Sequence, residues 1–192
     1  IASGLLQSVE NNLRQQAERL MGDNGQIARD MEPWLDRIKN APLVERNLAA
    51  MLSLMAQGDT DGAMVELRNV FQYNGFHKDA RKLYADTLLA RGEVAEAYSQ
   101  YLRLIEQYPD TVEVRQILAE IAMTGGNWQE FDRHSQEAIR LAPDDPRSRA
   151  LQAARDYRQA SLAKDEAGKA AAAAAARAVQ KELPDNVVVR RV

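Results

Sequence analysis

Residues 78–111 read KDARKLYADTLLARGEVAEAYSQYLRLIEQYPDT, and this stretch decides the fold. Its apolar positions Leu83, Tyr84, Leu88 and Leu89 recur at three-to-four spacing, which predicts an amphipathic helix. Gly92 follows at once and supplies a C-terminal stop. A second helix, starting near Val94, carries Ala97, Tyr101, Leu104 and Ile105 on one face and ends at Pro109. Ala85 and Ala97 are small enough to let the two helices approach closely. Neither helix alone buries enough apolar surface to be stable, so neighbouring pairs must stack to supply a core.

Moving outward by 34 residues recovers the same unit. Pro109 and Pro143 are 34 apart, and so are Gly58, Gly92 and Gly126 in series. Met51, Ala85 and Ala119 form another column, Ala63 and Ala97 a third, and Leu67 and Tyr101 a fourth. In the third copy Phe131 takes the alanine position, and Gly75 stands in the first copy where the later ones have proline. Pro184 lies 41 after Pro143, an excess of seven residues. Seven residues are about two helical turns, so a lengthened helix keeps its apolar face in phase.

A small residue, Gly, Ala, an aromatic and Pro in this order resemble the tetratricopeptide repeat. Ala85, Gly92, Ala97, Tyr101 and Pro109 give the fullest copy. Ala119, Gly126, Trp128, Ala138 and Pro143 give the next, with Phe131 and Ser135 departing from the usual Ala and aromatic. The resemblance implies an all-α fold, an α-α superhelix (solenoid) of tetratricopeptide-like helix pairs. It divides the chain into N-terminal helices at 1–43, forming a degenerate or partial repeat, then four repeats at 44–77, 78–111, 112–145 and 146–186. Residues 187–192 would start a further unit or form a tail, with no partner in the chain for Val187-Val188-Val189. Within 1–43, Leu13, Ala17, Leu20 and Met21 form one helical face, and Pro33 predicts a kink or a fresh start in the next. The chain opens Ile1-Ala2-Ser3, which suggests a piece of a longer array.

In such repeats the first helix of each pair lines the concave groove. Carried onto this sequence, the groove set is Leu52, Met55, Lys82, Asp86, Leu89, Gln116, Glu120, Arg147, Tyr157 and Arg158. The expected surface is apolar at one end, acidic and amidic in the middle and basic at the other, suited to a partner protein or peptide. A carboxylate-gripping clamp of the kind that binds chaperone tails is not expected. Lys82 matches its first lysine, but Asp86 and Ile117 fill asparagine positions and Leu151 the final arginine.

Composition limits the chemistry. There are 192 residues, no Cys and two His, which excludes a disulfide framework, thiolate metal sites and a cysteine nucleophile. No glycine-rich phosphate loop occurs, since Gly125-Gly126 is a repeat turn. His134 and Ser135 are neighbours on a helix and diverge by about 100°, so they form no nucleophile–base pair. Hence no catalytic residue, cofactor or metal is expected. Residues 1–139 hold 14 basic and 21 acidic side chains, whereas 140–192 hold 11 and 7. This asymmetry could steer an acidic partner or head-to-tail homo-oligomers. No dense basic stripe marks nucleic acid, and no apolar run spans a bilayer, the longest being alanines 170–176. The chain reads as a non-catalytic scaffold, with self-association or service as an accessory domain of a larger enzyme as alternatives. Its Ala-, Arg- and Gln-rich composition suggests a bacterial origin. Bacterial arrays that resemble it serve envelope assembly and exopolysaccharide export, which implies a periplasmic partner.

Overall fold

A computed structural model describes residues 26–192, with side chains of 26–35 and of residue 38 excepted. The helical faces expected within residues 1–25 lie outside the described part. The described chain is all-α, with no strand. In order come α1 (Gln26–Ala56), α2 (Thr60–Tyr73), α3 (Lys78–Ala90), α4 (Val94–Gln107), α5 (Val112–Thr124), α6 (Trp128–Leu141), α7 (Pro146–Ala163) and α8 (Glu166–Gln180). A 3₁₀ turn follows at Val189–Arg191. Two compact units divide within α3, one reaching Thr87 and the other running from Leu88.

In the first unit α1 packs on α2, burying Val44 and Met51 against Ala63, Met64, Leu67 and Val70. Of the kink or fresh start expected at Pro33, no fresh helix begins there, because α1 is one helix through both Pro33 and Pro42. Each proline removes one backbone donor, and the remaining turns carry the helix across. Asp59 caps α2 by accepting from the Gly62 amide at 2.9 Å. His77 caps α3 in the same way, Nδ1 accepting from the Ala80 amide at 3.2 Å.

In the second unit α5 packs on α6 and α7 on α8, while α4–α5 and α6–α7 contacts join successive pairs. The glycine column has a single cause. Gly58, Gly92 and Gly126 have φ of +79°, +80° and +73°, the left-handed region that side chains resist. At each, the glycine amide reaches back three residues and the next amide five, as in Gly92 to Leu89 (3.0 Å) and Glu93 to Leu88 (2.9 Å). The fourth turn keeps these bonds with Lys164, the only non-glycine residue at positive φ among the described residues (φ +58°). The seven-residue excess falls mainly in α7, which has 18 residues where α3 and α5 have 13.

The third repeat's departures compensate one another. Ala97 and Tyr101 are fully buried one turn apart on α4, and so are Phe131 and Ser135 on α6. The large side chain has moved to the alanine position and the small one to the aromatic position, so filled volume is retained. The Ser135 hydroxyl donates to the Phe131 carbonyl at 2.5 Å, satisfying its burial.

Candidate functional site

The sequence-derived groove residues separate into distinct groups. In the first unit Leu52 and Met55 leave α1 exposed, at 62% and 40%, while Lys82 and Asp86 pair along α3 at 2.8 Å. In the second unit Leu89, Glu120 and Arg147 line one groove of about 460 Å³ together with Val94, Ile117, Ile121 and Val187. Arg147 grips Glu120 through two nitrogens, Nη2 to Oε2 at 2.7 Å and Nε to Oε1 at 3.2 Å. Glu120 Oε1 also accepts from Asn186 Nδ2 at 2.9 Å. An apolar trough beside a fixed carboxylate is the kind of site that takes an apolar side chain and orients it by a neighbouring donor.

Gln116 does not belong to that surface, which corrects the sequence expectation. It is only 3% exposed, and its amide donates to Asp145 Oδ1 at 2.6 Å and Ser148 Oγ at 3.0 Å. Asp145 Oδ1 simultaneously caps α7, accepting from the Arg147 and Ser148 amides, so Gln116 fastens α5 to the start of the next pair. Arg158 is also engaged, lying 4.9 Å over the Trp128 ring and 3.3 Å from Asp132 Oδ2. Tyr157 beside it is half-buried.

A buried polar cluster was not foreseen. His134 on α6 is fully buried, with Nε2 3.1 Å from Glu130 Oε2 and Nδ1 3.4 Å from Arg115 Nη1. Tyr98 on α4 donates to the same Glu130 oxygen at 3.2 Å and stacks edge-on to the imidazole. Burial, helped by Arg115 and Arg133, holds His134 down to about 4 against the pull of Glu130. Burial first, then Glu130, pushes Tyr98 up to about 12. Neutral His134 therefore accepts at Nδ1 and donates at Nε2, joining α4, α5 and α6. The only signal in the sequence was spacing: Tyr98 precedes Glu130 by 32 and His134 by 36, either side of one repeat length.

Ser135 faces backbone carbonyls rather than His134, so no nucleophile–base pair forms there. Among the described residues no group of three His, Cys, Asp or Glu is arranged to hold a metal, and no helix is long and apolar enough to cross a membrane.

Segment 186–192 corrects another expectation. Val188 and Val189 have partners in the chain: they are 0% and 6% exposed in a core that includes Leu151, Ala154, Ala176 and Val179.

Comparison with curated proteins gives no match. Residues 54–121 match the tetratricopeptide repeat family model. That interval runs from the end of α1 into α5 and includes the left-handed turns at Gly58 and Gly92. The helix-pair register and the match agree over residues 54–121, which are similar to the tetratricopeptide repeat, a family whose members generally mediate protein–protein interaction.

Proposed function

We propose that the chain is a non-catalytic scaffold that holds a partner protein or peptide on the face formed by the first helix of each pair. The observation that carries this reading is the trough of Leu89, Val94, Ile117 and Ile121 beside the Arg147–Glu120 pair. Its apolar lining takes a nonpolar side chain, and the fixed carboxylate selects a donor next to it. In the first unit, exposed Leu52 and Met55 offer a second apolar contact. Tyr157 and Arg158 extend the set toward the basic part of the chain, and the repeat divisions at 44–77, 78–111, 112–145 and 146–186 belong to the same reading.

Affinity capture tests it. A Leu89→Arg, Val94→Asp variant with unchanged helix content is expected to recover less than a tenth of the partner taken by the parent chain. Equal recovery would remove this face as the binding surface. A bacterial envelope setting, with exopolysaccharide export among the assemblies it would suit, rests on composition and is tested by cell fractionation. Partner recovery confined to the cytoplasmic fraction would discard it.

Self-association is the second reading. Leu162 is 71% exposed at the end of α7, and alanines 170, 171, 174, 175 and 178 are exposed along α8. Light scattering over a concentration series decides it, a constant monomer mass excluding it.

A further inference from the structure

Gly75 is a glycine that its own backbone does not require. Its φ lies outside the left-handed region of Gly58, Gly92 and Gly126, and an added Cβ would meet only the Phe71 carbonyl oxygen, at an ordinary 3.6 Å. The repeat register shows what the slot demands. The residue before it has nearly the same φ and ψ in three copies, −146° and +86° at Asn74, −132° and +73° at Tyr108, −145° and +74° at Ala142. Pro109 and Pro143 follow the last two, so the slot makes no use of a backbone N–H. Gly75 keeps its N–H, which makes no hydrogen bond among the described residues. An unused and unhindered amide nitrogen therefore follows the Asn74 carboxamide. We propose that Asn74 is a self-modification site, converted to isoaspartate and aspartate through a cyclic imide closed by the Gly75 nitrogen.

The chemistry needs only water. Solvent hydroxide takes the Gly75 amide proton, and the nitrogen's electron pair attacks Asn74 Cγ. The Cγ–Nδ2 bond breaks, and ammonia leaves after taking a proton from water, which restores the hydroxide. Water then opens the imide on either side. Cleavage at Cγ gives aspartate, and cleavage at the main-chain carbonyl gives isoaspartate, whose backbone is longer by one methylene. The fold sets the pace. Closure requires Asn74 ψ to rotate from +86°, and the turn resists through the Phe76 amide donating to Asn74 Oδ1 at 3.1 Å and the His77 amide donating to the Asn74 carbonyl at 3.2 Å. Neither bond belongs to a helix, since α2 closes on Asn74 N to Val70 O at 2.8 Å and α3 is capped by His77 Nδ1. The connector can therefore react with both helices in place. The product is felt within the first unit. The Gly75 carbonyl accepts from Arg81 Nη2 at 2.5 Å, and Arg81 lies 4.7 Å over the Phe71 ring, itself edge-on to Tyr84. An added methylene moves that carbonyl, and an added negative charge marks the connector between α2 and α3.

The full chain, held in mildly alkaline buffer, is followed by peptide mapping with mass spectrometry and by enzymatic methylation of isoaspartate. Asn74 is expected to convert with isoaspartate as the larger product, more slowly than in a synthetic peptide of residues 70–80. Gly75→Pro installs the residue of the later copies and removes the attacking N–H, so it should keep its helix content and retain Asn74 intact. Phe131→Ala, which destabilises the second unit, should leave the rate unchanged. Asn24-Gly25, the same dipeptide outside the described residues, is mapped separately. Asn74 still intact after the peptide has converted would overturn the site, as would conversion in Gly75→Pro at the parent rate. A rate that rises in Phe131→Ala would also overturn it, by showing that only the unfolded chain reacts.

Discussion

Acid should loosen the second unit through a single side chain, His134. The unfolded chain presents an ordinary histidine titrating near 6.5, whereas the buried imidazole is held down to about 4. The proton therefore binds the unfolded chain first, and protonation favours unfolding. This contribution is complete above pH 6.5 and declines as pH falls toward 4, reaching a loss of about 3 kcal/mol in all. At pH 5 the loss is about 2 kcal/mol, before most carboxylates begin to titrate. Urea unfolding of the parent chain and His134→Gln, followed by circular dichroism at pH 7, 6 and 5, isolates it. Glutamine keeps a donor and an acceptor for Glu130 and Arg115 but does not titrate. The parent chain is expected to lose about 2 kcal/mol between pH 7 and 5, and His134→Gln to stay nearly flat. Equal slopes in the two proteins would refute the assignment of acid sensitivity to this cluster.

Other perturbations reach other parts of the fold. Lys164→Gly should raise stability by about 1 kcal/mol, because lysine occupies a left-handed position that glycine fills without strain; a lower Tm would contradict this. Gly92→Ala should lower stability by about 1 kcal/mol for the converse reason, since an added Cβ meets no atom within 4 Å and only the backbone is strained. Phe131→Ala should cost about 3–5 kcal/mol, and adding Ser135→Tyr, which restores the pattern of α4, should recover part of it. Additive losses in the double variant would show that the two positions do not share volume. Gln116→Ala should reduce stability by about 1–3 kcal/mol, by leaving buried Ser148 and Asp145 short of a donor.

The helix pairs were readable because each column has a local cause. Gly58, Gly92 and Gly126 repeat because three turns need the same left-handed residue, and Ala85 and Ala119 because both positions are fully buried. What escaped depends on contacts between repeats or on several weak preferences acting together. Lys164 hides the fourth turn because tertiary structure overrides its dislike of positive φ. Pro33 and Pro42 look like helix breaks by local rules, yet α1 passes through both. Gln116 occupies a groove-facing register but lies beneath the following helix start, where Asp145 and Ser148 claim its amide. Tyr98 and His134 meet only because adjacent pairs stack.

The exchanged sizes of Phe131 and Ser135 also give neighbouring modules separate addresses. Chains of near-identical units risk pairing with the wrong copy during folding, offset by one whole repeat. An offset of 34 residues would drive Phe131 into the space that Ala97 fills completely and leave Ser135 in the space sized for Tyr101. One site would be crowded and the other hollow, so the misaligned chain is penalised twice. Two residues one turn apart thus act as a counting device, marking which repeat is which in an array whose other columns look alike.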